Sequence, residues 1–253
     1  MMKAFSLEGR AALVTGSSQG IGLAMAEGLH EAGARVVCHG LTERPADFPE
    51  WARYVACDLC APDAPAALVH CAFEAEPHLD TLICNAGGFF DVPFLEMTRE
   101  RWDRTVQLNM ASVYFTAQAF ARRLVAEQRA GSIVITSSTN GFQAESDSSA
   151  YDASKGALVM LTKSLAVSLA DHGIRVNGVA PGLIRTPLTA SLEHAGNSSV
   201  VDHYEKKILL KRLGTPEDVA GAAVFLCSRA AGYITGETII IDGGLTTGQI
   251  GRR

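Results

Sequence analysis

The chain has 253 residues, of which 47% are hydrophobic and 19% are charged, and its net charge is −5. This length can bury one large core, and no linker-like change in composition appears, so we predict a single domain spanning residues 1–253. The acidic balance argues against a nucleic-acid or anionic-membrane partner. We find neither the apolar run of a membrane span nor the core of a signal peptide, and we expect a soluble, cytoplasmic protein.

Six cysteines are present, and two of them form the spacing Cys57-x-x-Cys60. A structural zinc site needs a second such pair or histidines at ligand spacing, and His70 beside Cys71 is a poor match. We therefore predict structural thiols and no metal site. A redox or metal role for the pair is the alternative.

The first motif is a glycine-rich loop between a strand and a helix. The apolar run Arg10–Thr15 fits a strand buried on both faces, and it breaks into Gly16-Ser-Ser-Gln-Gly20-Ile-Gly22 before a helical pattern. Glycines let backbone approach a pyrophosphate, and the helix N-terminus supplies free N–H groups. The spacing differs from G-x-G-x-x-G, but its position favours nucleotide binding over a plain tight turn.

The second strand, Arg35–His39, lacks the residue that most often selects the nucleotide. In dinucleotide folds an acid at the end of this strand holds the ribose hydroxyls and repels a 2′-phosphate. Gly40 stands at that place. Arg44 or Thr42 could reach a 2′-phosphate, and Glu43 could instead reach the ribose. NAD and NADP both stay open, and the missing acid slightly favours NADP.

Strands and helices then alternate. We predict a third strand at Tyr54–Asp58, with no full helix before it, a helix over residues 64–74, and a fourth strand at Thr81–Cys84 that opens into Asn85-Ala-Gly-Gly88. This alternation of strands and helices predicts a doubly wound parallel sheet, with ligands bound beyond the carboxyl ends of the strands.

A long helical stretch, Arg99–Gln128, contains Asn109, a poor helix former. Two interpretations are equally supported. Asn109 either caps a backbone group in the core or marks a helix irregularity that turns a polar group toward the site.

The next strand, Ser132–Thr136, is followed by Ser138 and by Tyr151-x-x-x-Lys155. Residues four apart on a helix share a face, so the tyrosine and lysine side chains can meet. A neighbouring ammonium favours the phenolate and is expected to lower the tyrosine pKa toward the working range. A serine hydroxyl could hold a substrate oxygen against the phenol. Alone, this spacing also fits an amphipathic helix with two surface polar groups.

The remaining chain predicts a strand over residues 174–180 that ends in Pro181-Gly182, a helix start at Thr215, and a last strand over residues 238–242. Between them, residues 187–210 are polar and loosely patterned around residues 196–199. They are predicted to form a mobile lid, with an ordinary surface excursion as the alternative.

Taken together, the motifs resemble the short-chain dehydrogenase/reductase family in its form of about 250 residues. The ordered set that carries this resemblance over the whole chain is Thr15-Gly16-x-x-x-Gly20-x-Gly22, Asp58-Leu59, Asn85-Ala86-Gly87, Asn109, Ser138, Tyr151-x-x-x-Lys155, Pro181-Gly182 and Asp242-Gly243-Gly244. The resemblance implies a Rossmann-type doubly wound parallel sheet of about seven strands with helices on both faces. It also implies a homotetramer, and long apolar helices support subunit packing.

The family mechanism assigns four catalytic residues. Tyr151 would exchange a proton with the substrate oxygen while hydride moves to or from the nicotinamide. Lys155 would lower the tyrosine pKa and bind the nicotinamide ribose, and Ser138 would orient the substrate oxygen. Asn109 would hold a water that links Lys155 to solvent.

The resemblance also implies a set of nucleotide contacts. They are Gly16, Ser18, Gln19, Gly20, Ile21, Gly22, Asp58, Leu59, Asn85, Ala86, Gly87, Tyr151, Lys155, Pro181, Gly182, Ile184 and Thr186. Gln19 departs from the family, because a basic residue at its position often marks NADP use.

Substrate contacts are predicted for Ser138, Asn140, Gln143 and Tyr151. With Glu145 and Asp152 nearby, and Phe89 and Phe90 past the fourth strand, this wall is unusually polar. A site built for hydroxyls rejects an apolar ligand, so we predict a small alcohol or ketone substrate such as a polyol or sugar. The alternatives are a 3-oxoacyl-carrier-protein reductase and a nucleotide-binding regulator without turnover.

Overall fold

The structure, a computed structural model, describes residues 2–190 and 198–248. At its centre seven parallel strands form one sheet in the order β3-β2-β1-β4-β5-β6-β7. The strands are β1 Ala11–Val14, β2 Arg35–Gly40, β3 Arg53–Ala56, β4 Thr81–Cys84, β5 Gly131–Thr136, β6 Ile174–Pro181 and β7 Thr238–Ile241. The order runs outward in both directions from β1 and β4, which confirms the predicted doubly wound sheet.

Helices cover both faces of this sheet. They are α1 Gly20–Glu31, α2 Ala64–Ala75, α3 Arg99–Val106, α4 Ser112–Ala126, α5 Ser149–Leu169, α6 Ser198–Lys207 and α7 Pro216–Cys227. Successive strand side chains point to opposite faces. Leu13 accordingly packs in one core with Phe120 of α4, and Val14 packs in the other with Met25 of α1.

The connections explain two departures from a regular alternation. Residues 41–52 form turns rather than a crossover helix, as their two prolines predict. β3 begins one residue earlier and ends two residues earlier than predicted, because its register pairs Arg53 with Val37 and Ala56 with Gly40, the last residue of β2. Among the described residues, no helix is long and apolar enough to cross a membrane.

Candidate active site

Four strands end at the same edge of the sheet, and a predicted motif follows each of them. β1 leads into Thr15, β4 into Asn85, β5 into Ser137 and β6 into Gly182. The cleft at this edge is lined by predicted residues of all four motifs, namely Gly16, Gln19, Gly20, Ile21, Gly22, Asn85, Gly87, Ser138, Tyr151, Lys155, Pro181, Gly182, Ile184 and Thr186. The parallel sheet thus brings most of the predicted site together.

Some predicted residues lie outside the cleft lining. They are Ser18, Asp58, Leu59, Ala86, Asn109, Asn140 and Gln143. The Leu59 side chain is only 3% exposed and packs in the core, and its contact with the adenine stays a prediction. The Asp58 carboxylate accepts a hydrogen bond from the Cys60 backbone N–H at 2.9 Å, which closes the turn after β3.

The cleft also contains residues that the sequence analysis did not predict. They are Gly88, Thr136 and Ser137. Thr136 and Ser137 could have been found from the end of the predicted strand before Ser138. Pro187, Leu188 and Thr189 also line the cleft, and they belong to the segment predicted as a lid, residues 187–210.

The glycine loop leaves its backbone open. Gly16 and Gly20 have φ angles of +63° and +58°, which other residues rarely adopt. A Cβ on Gly22 would lie 2.2 Å from the Gly16 carbonyl oxygen, so only glycine fits. Gln19 precedes α1 without capping it through its side chain. The first N–H groups of α1 are therefore free of a capping side chain, as an anion site requires.

A buried histidine holds this loop in place. His39 is 3% exposed, and its Nδ1 accepts a hydrogen bond from the Gly16 N–H at 3.1 Å. The ring proton is therefore on Nε2, and this N–H donates a hydrogen bond to the Cys57 carbonyl at 3.0 Å. Burial lowers the pKa of His39, which keeps the ring neutral. The sequence analysis assigned His39 only to a strand.

Thr15 ties the glycine loop to the loop after β4. Its hydroxyl accepts hydrogen bonds from the backbone N–H groups of Asn85 and Ala86, at 2.9 and 3.0 Å. The Asn85 side-chain amide donates to the Gly16 carbonyl at 3.1 Å. Asn85 thus supports the phosphate loop directly.

Tyr151, Lys155 and Ser138 meet at the floor of the cleft. Ser138 and Tyr151 both line the cleft, and the Ser138 hydroxyl donates a hydrogen bond to the Asn140 Oδ1 at 3.3 Å. Lys155 is 4% exposed, its Nζ donates to the Thr136 carbonyl at 3.1 Å, and it lies 5.4 Å from the centre of the Tyr151 ring. The i, i+4 spacing on α5 and the end of β5 produce this arrangement. A proton donor and a second hydroxyl therefore face the same space.

The proton affinities differ from the sequence expectation. Burial, together with the carboxylates of Glu145, Asp152 and Asp91, raises the pKa of Tyr151 to about 12, against a lowering by Ser138. Burial also lowers the pKa of Lys155 to about 8. The expected lowering of the tyrosine pKa is therefore wrong for the protein without nucleotide, because burial of the phenol is the largest influence on this pKa.

Asn109 lies in a helix irregularity, one of the two interpretations offered above. Residues Gln107–Ala111 form a π-helical turn between α3 and α4. The Asn109 Oδ1 accepts from the Gly88 N–H, and its Nδ2 donates to the Gly88 carbonyl, both at 2.9 Å. Nδ2 also donates to the Ser154 hydroxyl at 3.3 Å. The side chain thus caps backbone groups of the loop after β4 from within a helix irregularity, and its orientation toward the site stays a prediction.

The predicted polar wall is a connected network behind Ser138. The Asn140 amide donates to the Asp152 carboxylate at 2.7 Å and to Glu145 at 3.2 Å. Asn140 also donates its backbone N–H to the Ser138 hydroxyl at 3.2 Å. The Asn140 side chain therefore links the Glu145 and Asp152 carboxylates of this polar wall. Gln143 is half-buried at the end of the turn after Ser138, where its N–H donates to the Thr139 carbonyl.

One acidic residue that the sequence analysis missed anchors the catalytic helix. The Asp91 carboxylate, from the loop after β4, accepts hydrogen bonds from the backbone N–H groups of Ala150 and Tyr151, at 2.8 and 3.1 Å. The preceding residue Ser148 makes no side-chain cap. Nothing in the local sequence indicates this contact, because 59 residues separate Asp91 from Ala150.

The predicted lid is described only in part. Its centre falls on residues 196–199, and residues 191–197 lie outside the described part of the chain. Tyr204 of α6 donates a hydrogen bond to the Glu145 carboxylate. One end of this segment is therefore attached to the polar wall.

The cysteines are free thiols. Burial is the main cause that raises the pKa of both Cys57 and Cys60, which disfavours reactive thiolates. Within residues 2–190 and 198–248, no group of three or more histidine, cysteine, aspartate or glutamate side chains could hold a metal ion.

Comparison with known proteins adds a family and several relatives. A family model described as "Enoyl-(Acyl carrier protein) reductase" matches residues 16–246. The chain is 34% identical to a 5-keto-D-gluconate 5-reductase of Escherichia coli, covering 95% of this chain and 97% of that one. It is 36% identical to a gluconate 5-dehydrogenase of Gluconobacter oxydans, covering 96% of each. It is 37% identical to a 3-oxoacyl-[acyl-carrier-protein] reductase of Aquifex aeolicus, covering 94% and 98%.

Solved structures agree with these similarities. A short-chain type dehydrogenase/reductase from Mycobacterium marinum superposes with a TM-score of 0.91 at 36% identity, covering 98% of this chain and 99% of the other. A gluconate 5-dehydrogenase from Burkholderia cenocepacia, in complex with NADP and tartrate, gives a TM-score of 0.90 at 34% identity, covering 97% and 98%.

Proposed function

We infer the function of this chain from its family, since it belongs to the short-chain dehydrogenase/reductase family over residues 16–246. Its relatives are named as dehydrogenases and reductases, which confirms the prediction of an enzyme over that of a regulator without turnover. The chain is an NAD(P)-dependent oxidoreductase that interconverts an alcohol and a ketone.

The residues present fit a nicotinamide nucleotide. The Gly16–Gly22 loop offers uncapped backbone N–H groups at the start of α1, and the carbonyl of Gly16 occupies the space that a side chain on Gly22 would need. We propose that the pyrophosphate lies on this loop and that the nicotinamide side lies near Ile184 and Thr186. The other proposed contacts line the same cleft, except Ser18, Asp58, Leu59 and Ala86.

The proposed mechanism rests on one observation, that Ser138, Tyr151 and the buried Lys155 line the same cleft. In ketone reduction the Tyr151 phenol donates its proton to the substrate oxygen, and in alcohol oxidation it receives that proton. The bound nucleotide supplies or accepts the hydride. Ser138 orients the substrate oxygen, and Lys155 holds the nicotinamide ribose and offsets the phenolate charge. Asn109 fixes the Gly88 loop, and its predicted water link to Lys155 belongs to this proposal.

For the substrate, we propose a polyol, sugar or sugar acid. The Asn140, Glu145 and Asp152 network lies beside Ser138 and offers carboxylate and amide groups to the hydroxyls of a substrate. Tyr204 extends this network through its hydrogen bond to Glu145, and Gln143 is proposed as a further substrate contact. Relatives named for ketogluconate and gluconate cover nearly the whole chain, which supports the same class.

The second candidate is reduction of a 3-oxoacyl thioester. The relative named for this activity is 37% identical, at least as similar as the two gluconate enzymes. Phe89, Phe142 and Leu188 are also 45%, 46% and 58% exposed, and Phe89 lies 5.3 Å from the Tyr151 ring. An acyl chain could contact these apolar side chains.

We also propose a cytoplasmic location, a single domain over residues 1–253, and a homotetramer. The nicotinamide nucleotide requirement and the free thiols support the location. Residues 187–210 would act as the lid, with α6 bonded through Tyr204 to the polar wall.

The test is the change in nicotinamide absorbance with ketogluconates, gluconate, neutral polyols and a 3-oxoacyl thioester, each with both nucleotides. We expect turnover on the hydroxylated compounds, and a loss of roughly 10²–10⁴-fold in Tyr151→Phe because the proton donor is removed. Tyr233→Phe, at a fully exposed tyrosine, is the matched control. Turnover of the thioester alone would establish the second candidate instead.

A further inference from the structure

The phenol of Tyr54 lies against the last residue of β2. Tyr54 pairs with Cys38 across β2 and β3, two residues before Gly40. A Cβ placed on Gly40 would lie 1.9 Å from the Tyr54 hydroxyl oxygen and 3.0 Å from the Ser18 Cβ. No side chain can occupy this position while the phenol stays where it is.

The phenol is held in place from several sides. Its hydroxyl donates to the Thr42 carbonyl at 3.1 Å, and the Ser18 side chain of the glycine loop borders the same space beside Gly40. Its ring packs edge-on against buried Phe48, with the ring centres 5.0 Å apart. The phenol thus bridges the glycine loop and the turn after β2.

A positive charge is fixed on the same turn. The Arg44 guanidinium donates to the carbonyls of Phe48 and Pro49, at 3.3 and 2.9 Å, and lies 5.9 Å from the centre of the Phe48 ring. Arg44 therefore stands beyond the ring on which the Tyr54 phenol packs. The end of β2 presents hydroxyls and a nearby cation, where an NAD-selecting site would present a carboxylate.

We propose that Tyr54 sets the nucleotide preference indirectly, by excluding an acidic side chain from position 40. Its phenol fills the space that an acidic side chain at position 40 would need, and so keeps the 2′ end of the adenosine site free of negative charge and open to NADP. This inference rests on the proposed function, because it takes the Gly16–Gly22 loop as the nucleotide site.

The steric part is tested by two substitutions alone and combined, Gly40→Asp and Tyr54→Ala, in the full chain. We expect Gly40→Asp to lower the thermal midpoint or to prevent folding while Tyr54 is present. Tyr54→Ala should rescue the aspartate variant, because it removes the colliding oxygen. Tyr233→Ala controls for the loss of a tyrosine and should not rescue it. If Gly40→Asp lowered the thermal midpoint by the same amount in the wild type and in Tyr54→Ala, the proposal would be overturned.

The selectivity is tested by calorimetric binding of NADP and NAD without substrate. We expect the wild type and Tyr54→Ala to bind NADP more tightly, since neither carries an acid at position 40. The double variant should reverse the preference by about tenfold or more, because a carboxylate repels the 2′-phosphate at short range. A double variant that keeps the NADP preference, or Gly40→Asp that reverses it with Tyr54 intact, would overturn the proposal.

These measurements separate the inference from the proposed function. A wild type that binds both nucleotides equally, or NAD more tightly, contradicts the role of Tyr54 and leaves the oxidoreductase intact. A wild type that binds neither nucleotide contradicts both. Failure to turn over sugars or sugar acids affects only the proposed substrate, because binding is measured without substrate.

Discussion

Individual residues at the cleft owe their proton affinities to burial more than to the neighbours that the sequence identifies. Lys155 follows Tyr151 by one helical turn, so their proximity is predictable from spacing. The direction of the shift in the tyrosine pKa is not predictable from spacing, because the desolvation of the phenol depends on residues from several loops. The carboxylates of Asp91 and Glu145, which also raise this pKa, come from outside α5. Local spacing therefore predicts which groups meet, and tertiary structure sets how they titrate.

His39 makes the glycine loop sensitive to pH. Its pKa is lowered from the ordinary 6.5 by burial. Between the lowered value and 6.5, the unfolded chain binds more protons than the folded protein. The stability that neutral His39 provides is thus complete above this window and is lost as the pH falls through it. Protonation of the ring would also place a hydrogen on Nδ1. Nδ1 could then no longer accept the hydrogen bond from the Gly16 N–H.

We therefore expect His39→Leu to lower the free energy of unfolding by roughly 1–3 kcal/mol, because the Gly16 N–H and the Cys57 carbonyl lose their partner. The variant should also lose less stability than the wild type between about pH 7.5 and about pH 5.5. Urea unfolding at both pH values measures this, with exposed His172→Leu as the control. Equal pH dependence in His39→Leu and the wild type would contradict the role of the ring.

At the scale of elements, helix α5 depends on a cap that lies far away in sequence. Asp91 accepts the N–H groups of Ala150 and Tyr151, so its carboxylate satisfies two donors of the first turn and interacts favourably with the helix dipole. The same contact fixes the backbone that carries the proposed proton donor. Loss of the cap should affect both stability and turnover.

We expect Asp91→Ala to lower the free energy of unfolding by about 1–2 kcal/mol and to reduce kcat through misplacement of Tyr151. Asp91→Asn keeps one acceptor oxygen, so its free energy of unfolding and its kcat should lie between those of the wild type and Asp91→Ala. Denaturant unfolding and initial rates measure these effects, and Asp171→Ala, at an exposed aspartate, controls for loss of an acid. Unchanged stability in Asp91→Ala would exclude a capping role.

The order of elements was predictable to a large extent, and the exceptions share a cause. Thr81–Cys84 was predicted to the residue, because a short apolar run between polar turns is a local signal. The π-turn at Asn109 was predicted only as one of two alternatives, because the Asn109 side chain bonds to Gly88, in the loop after β4. Tyr54 and Asp91 gave no local signal, since the partners of each lie on other segments.

At the scale of the whole molecule, α4 and α5 present apolar side chains to solvent. Phe115 is 52% exposed, Met160 62% and Val167 82%. Large exposed apolar groups on neighbouring helices are typical of subunit interfaces. Covering them with a second copy of the chain would remove this surface from water, and the proposed tetramer is one way to do so.

We expect sedimentation to give a mass of about four chains for the wild type, and a smaller mass for Phe115→Asp and Val167→Asp. The physical reason is that a carboxylate placed in an apolar interface loses its hydration without gaining a partner. Leu41→Asp is the matched control, because Leu41 is 66% exposed after β2, away from α4 and α5. A monomeric wild type, or an unchanged mass in both variants, would show that these helices do not form the interface. Because the cleft in one chain already holds Ser138, Tyr151 and Lys155, a smaller assembly should still bind nucleotide.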